Sequence, residues 1–125
     1  MVDARMFEPK DYSQMERWGQ IMDVKPPPIT LLSDTGLIVD GVAVGFLYLT
    51  NSAVGLLEGF MTNPEADKND RHNALNGITL ELIKMAKDAG CKLLKCDTKL
   101  NEIVTRAKDF GFVELGQYKT FVKEL

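Results

Sequence analysis

Few residues in this chain belong to types that do chemistry, and their spacing limits what they can do. His72 is the only histidine. No serine or cysteine stands beside it in a recognisable arrangement, so a nucleophilic triad is not indicated and a surface imidazole is the plain reading. Cys91 and Cys96 flank one short apolar run. Two thiols so placed are too few for a metal site and poorly placed for a mutual disulfide. They read as small apolar residues in a reducing compartment. Lys68, Arg71 and His72 gather at the start of a helical pattern, where a phosphate could be met, and Glu65, Asp67 and Asp70 offset much of that charge. The other reading of this group is a solvated loop whose carboxylates cap a helix. Glu58 sits in the run from Val54 to Thr62, where the pattern alone makes it a carboxylate on a half-solvated strand face.

The elements that must position these residues follow from periodicity. Val2 to Phe7 is a predicted first strand. Asp11 with Gln14 resembles a capping box, and Met15, Trp18 and Met22 recur at helical spacing, which predicts a helix from about Tyr12 to Met22. Pro26-Pro27-Pro28 cannot continue it and forms an extended linker. Ile29 to Leu32 and Gly36 to Val39 are expected short strands, and Asp40-Gly41 is a two-residue hairpin signal leading into a strand from Val42 to Leu49. Asn51-Ser52-Ala53 turns the chain into the strand Val54 to Thr62, which ends at Asn63-Pro64. Leu75, Ile78, Leu82, Ala86 and Ala89 trace one face of a helix from about Asp70 to Ala89, stopped by Gly90. Lys92 to Cys96 is a short buried strand. Leu100, Val104, Ala107 and Phe110 mark a further helix ended by Gly111, and Phe112 to Leu115 with Tyr118 to Val122 are expected to close the chain as a hairpin.

At 125 residues the chain suits one domain spanning 1–125. A net charge of −3 argues against general nucleic-acid binding, which rests on a basic footprint. No apolar run approaches a membrane span, and Met1 to Arg5 lacks the apolar core of a signal peptide, so no membrane role and a cytoplasmic location are expected.

The order strand, helix, three-strand meander, strand, helix, strand, helix, strand resembles the GNAT N-acetyltransferase superfamily over essentially the whole chain. The local motifs that carry the resemblance are Asn63-Pro64 after the central strand, Leu82-x3-Ala86-x3-Gly90 along the main helix, and Asn101 with Gly111-Phe112 in the last helical unit. The resemblance implies an α/β (α+β) domain: a mixed, mostly antiparallel sheet with helices on both faces and one splayed parallel pair, Leu57 to Thr62 beside Lys92 to Cys96. It also implies acetyl-CoA as cofactor, an amine-bearing small molecule or protein as acceptor, and a possible homodimer through the late strands. Backbone near Phe60, Met61 and Thr62 would take the pantetheine arm like an added strand. The start of the main helix, with Arg71, His72, Asn73 and Ala74, would meet the pyrophosphate. Glu58 would deprotonate the acceptor ammonium, directly or through water. Asn101 matches a residue that contacts the cofactor in many members, and is equally a plausible helix N-cap.

The chain departs from the family pattern at two places. Counting back from Ala86 and Gly90, the phosphate loop Arg/Gln-x-x-Gly-x-Gly/Ala falls on Asp70 to Leu75, with Asn73 and Leu75 at the glycine positions. Side chains there would stand where a phosphate oxygen must meet backbone N–H. A tyrosine acid expected four residues before Gly111 is replaced by Ala107. Two functions are therefore expected: an acyl-CoA-dependent N-acyltransferase, or a non-catalytic binding or structural module that keeps the fold and has lost acetyl-CoA binding.

Overall fold

The structure, a computed structural model, describes residues 3–98 and 101–125; the side chains of Asn101 and Glu102 lie outside that description, as do Val2 and Leu100. Five strands are ordered β1-β2-β3-β4-β5: β1 (Arg5–Met6), β2 (Thr35–Val39), β3 (Ala43–Leu49), β4 (Val54–Thr62) and β5 (Leu93–Lys95). The first four pair antiparallel, and β4 with β5 is parallel. The helices are α1 (Tyr12–Met22), α2 (Lys68–Asp88) and α3 (Asn101–Asp109). The expected mixed sheet with one parallel pair is present.

The central strand β3 shows how the layers form. Its residues from Ala43 to Leu47 are all buried because both faces are covered. Val44 and Phe46 pack with Met15 and Trp18 of α1, while Ala43 and Leu47 pack with Ala74, Ile78, Leu82 and Ala86 of α2. The four α2 residues recur every fourth position, so they form one stripe along the helix. α2 closes with Gly90 at φ +92, where the Gly90 N–H reaches Lys87 O and the Cys91 N–H reaches Ala86 O, a Schellman stop. Gly111 ends α3 the same way, with Phe112 bonding back to Ala107 O.

Arg5 ties the N-terminal part together. Its guanidinium forks onto Asp11 at 2.7 and 2.9 Å and onto Asp40 at 2.7 and 2.9 Å, joining β1, the start of α1 and the β2–β3 turn. Hydrogen bonds from Arg5 hold the Asp11 and Asp40 carboxyls below their ordinary values. Asp11 also accepts the Glu8 N–H, and Gln14 reaches Asp40 and the Gly41 N–H. The expected Asp11–Gln14 capping box is therefore replaced: both side chains leave the helix end to serve this network.

Four further expectations are corrected. Ile29 to Leu32 is not a strand. Ile29–Leu31 is a 3₁₀ turn opening behind Pro28, and Leu31 is largely exposed. The main helix begins at Lys68, capped by Asp67, not at Asp70. The parallel pairing joins Val54, Gly55 and Leu56 to Leu93, Leu94 and Lys95, so Leu57 to Thr62 lies beyond it. The closing hairpin is absent: 113–125 carries no strand, and Val113, Leu115, Tyr118, Phe121, Val122 and Leu125 are each more than three-quarters exposed. A two-stranded hairpin is marginal unless it docks on other structure, and this segment docks on none of the described chain.

Candidate functional site

The site begins with an extra residue in β4. Phe46 pairs with Glu58 and Val44 with Met61, so Gly59 and Phe60 together face Gly45. This is a β-bulge with Gly59 in the left-handed region at φ +73. A Cβ there would meet Phe46 Cδ2 at 2.8 Å. The bulge follows shortly after the last β4–β5 pair, Leu56 with Lys95. From Leu57 to Met61 the β5-facing edge of β4 has no strand partner among the described residues.

A cleft of about 360 Å³ fills the opening. Its walls come from both faces of the sheet: Met15, Pro26, Pro27 and Glu58 on the α1 side, and Leu75, Thr79, Ala107 and Phe110 on the α2–α3 side. Residues from opposite faces can line one cleft only through the gap between β4 and β5, so the cleft passes through the sheet. Gly19 helps to shape its α1 end. The Val24 N–H bonds to Gly19 O at 2.9 Å, and a Cβ on Gly19 would meet Val24 O at 2.3 Å. The chain can therefore fold back closely over the helix and carry Val24 to Pro27 to the cleft. A more open depression of about 400 Å³ lies over the end of α1, around Tyr12, Glu16, Gln20 and Asp23; none of its lining comes from a strand.

The predicted residues divide between the cleft and its surroundings. Glu58, Phe60 and Met61 line it, with Glu58 exposed. Burial pushes the Tyr48 phenol up, and the Glu58 carboxylate adds to that shift, which places the carboxylate near Tyr48. Thr62 pairs with Ala43 and does not line the cleft. Asp70 to Leu75 lies inside α2 and is not a loop. There Ala74 is a core residue, 1% exposed, Asn73 is exposed, and Arg71 is half-buried. Asn101 opens α3, and its side chain is outside the description.

One residue of the neighbourhood was not singled out from sequence. Arg106 lines the cleft, and its Nη2 lies 3.1 Å from His72 Nδ1. The other ring nitrogen, Nε2, lies 3.1 Å from Asn76 Nδ2, so the imidazole is held between a guanidinium and a side-chain amide. The 34-residue separation left no local signal for this contact. Cys96 also lines the cleft, and burial, followed by Asp97, pushes its thiol up, so the thiol is protonated at neutral pH.

The loop after β4 is where a phosphate would be expected, and most of its backbone N–H groups are already committed. The Glu65 N–H bonds to Asn63 Oδ1 at 2.9 Å and the Ala66 N–H to Asn63 O at 3.1 Å. Asp67 Oδ1 takes the N–H groups of Asn69 at 2.8 Å and Asp70 at 3.3 Å, and Asp67 O takes that of Arg71 at 2.9 Å. A pantetheine arm fits the free β4 edge and the mainly apolar cleft. A pyrophosphate does not fit the α2 N-terminus as it stands, because a carboxylate already holds it. The signal was present in the sequence: Asp67 stands three residues before Asp70, one turn earlier than the helix start expected there.

Among the described residues no group of three His, Cys, Asp or Glu could hold a metal ion, and no helix is long and apolar enough to cross a membrane.

Comparison with solved structures gives matches along nearly the whole chain. A glucosamine-6-phosphate N-acetyltransferase from Arabidopsis thaliana matches with a TM-score of 0.65 at 14% identity, covering 97% of this chain and 98% of its own. The aminoglycoside N-acetyltransferase AAC(6')-Iy, solved with the bisubstrate analog CoA-S-monomethyl-acetylneamine, matches with a TM-score of 0.63 at 15% identity, covering 98% of each chain. A transcriptional regulator from Bacillus halodurans matches with a TM-score of 0.68 at 16% identity, covering 98% of this chain and 100% of its own. No family model matches the sequence, and no curated protein matches it. At these identities the likeness shows the fold: this chain has the GNAT-like fold. The mixture of names among the neighbours leaves function to the site.

Proposed function

We propose that the cleft joins a primary amine to an acyl thioester, making the protein an acyl-CoA-type N-acyltransferase. The observation that carries this reading is the passage through the sheet, with Glu58 at its α1 side and the free edge of β4 along it. An amine entering past Pro26 and Pro27 meets Glu58, which accepts a proton from the ammonium directly or through one water. The unpaired edge from Leu57 to Met61 offers backbone groups to an amide-bearing arm laid beside it as a further strand. A pantetheine thioester supplies the activated acyl group. Ala107 offers no proton to the departing sulfur, and a thiolate with an ordinary pKa near ~8.5 needs little help to leave. Acceptors named for the neighbours, an aminoglycoside and glucosamine-6-phosphate, favour an amine-bearing small molecule.

The test is turnover of S-acetylpantetheine and acetyl-CoA with a panel of amines, on the wild type and on Glu58→Gln. Removal of the base should lower kcat/KM by about 10²–10⁴ and abolish the rise of rate with pH. Equal rates in the two proteins would remove Glu58 from the chemistry. A second reading, a non-catalytic module, is favoured by the bonds that already take the N–H groups of Glu65, Ala66, Asn69 and Asp70. It prevails if no thioester turns over and none raises the Tm, since a ligand at ~100 times its Kd adds about 2.7 kcal/mol of stability.

A further inference from the structure

We propose that Asp67 determines donor specificity: its carboxylate occupies the position a donor pyrophosphate would need, so the donor is selected by its acyl-pantetheine arm and not by its nucleotide end. This rests on the cleft reading above. Five residues separate the end of β4 from the start of α2, so the α2 N-terminus follows directly on the strand whose edge lines the cleft. A helix N-terminus attracts anions because its first N–H groups lack helical partners. In this chain those of Asn69 and Asp70 are donated to Asp67 Oδ1, and those of Glu65 and Ala66 to Asn63. Glu65 and Asp70 add exposed negative charge around the same turn, which Lys68 and Arg71 offset only in part. A pyrophosphate would have to displace a carboxylate from charge-assisted hydrogen bonds and approach two others. A neutral S-acetylpantetheine meets no such opposition, since its contacts lie along β4.

The experiment is calorimetric titration of S-acetylpantetheine and of acetyl-CoA into the wild type, Asp67→Gly and Asp67→Asn. Glycine frees the Asn69 and Asp70 N–H groups and is the mildest loss of a cap; asparagine keeps the cap and removes only the charge. Thermal melts confirm that each variant folds. The wild type should bind the two thioesters within about threefold of each other, whereas Asp67→Gly should gain about tenfold or more for acetyl-CoA alone, with Asp67→Asn between them. Wild-type acetyl-CoA affinity more than about tenfold above that of S-acetylpantetheine would overturn the inference and leave the cleft reading intact. So would unchanged acetyl-CoA binding in Asp67→Gly. A gain for acetyl-CoA in Asp67→Gly with no binding of S-acetylpantetheine to any variant would support the role of Asp67 and sink the cleft reading.

Discussion

The two faces of the sheet are built differently. The α1 face carries Met15, Trp18, Ile38, Val44 and Phe46, yet it is edged with polar machinery: the Arg5–Asp11–Asp40 network, Tyr48, Glu58 and the proline linker. The α2 face is a dry wall of Leu37, Ala43, Leu47, Leu57, Ala74, Ile78, Leu82 and Ala86, and the helix that supplies it caps its own N-terminus with Asp67. A side chain that must trade protons with a substrate needs the first kind of surface. A long neutral arm is held by the second kind. The bulge at Gly59 lies where one cleft touches both, so the proposed function assigns the two faces different tasks.

The dry wall can be broken most severely. Leu82 is 0% exposed within the α2 stripe, so Leu82→Ala should cost about 2–5 kcal/mol of stability, measured by denaturant unfolding. A loss below about 1 kcal/mol would mean that the stripe does not face the sheet.

The next test addresses the join between the faces. Gly59→Ala places a Cβ against the Phe46 ring and a non-glycine residue at φ +73, at a cost of about 1–3 kcal/mol. Gly59→Asn should cost less, because asparagine tolerates that backbone region better. Straightening β4 would also bring Leu57 to Met61 back toward β5 and narrow the cleft, so S-acetylpantetheine binding should fall with stability. Equal stability of Gly59→Ala and Gly59→Asn would argue against a left-handed bulge.

How much of this was legible in the sequence follows the same division. The wall was written in regular spacing: Ile78, Leu82 and Ala86 announced α2, Met15 and Trp18 announced α1, and Gly90 and Gly111 marked stops that the positive φ angles explain. Glu58, Phe60 and Met61 could be placed together because they share one strand. Contacts between distant segments had no local signature. Arg106 reaches His72 across 34 residues, and Arg5 claims Asp11, whose spacing to Gln14 suggested a cap. The tail from Phe112 to Val122 alternates like a hairpin, but pairing needs a surface to dock on, and alternation alone does not reveal one. The bulge was invisible for a related reason: a glycine in a strand run does not announce where the register changes.

The smallest effect belongs to the polar edge of the α1 face. Asp40 is 60% exposed and shares the Arg5 guanidinium with the buried Asp11, so Asp40→Asn leaves Arg5 its better-shielded partner. The loss at neutral pH and low salt should be less than about 1 kcal/mol, shrinking as salt screens the pair. Its pH dependence carries the information. The Arg5 hydrogen bonds depress the folded-state pKa of Asp40, so the charged carboxylate contributes fully above the unfolded range near ~4. That contribution disappears as pH falls through the lower folded value. Wild type and Asp40→Asn should therefore differ in Tm at neutral pH and converge below about pH 4. A gap that persisted undiminished into acid would mean that Asp40 acts through packing and not through charge. The α1 face would then be held to the β2–β3 turn in the same way as the α2 face is held to the sheet, and the contrast between them would lose its electrostatic half.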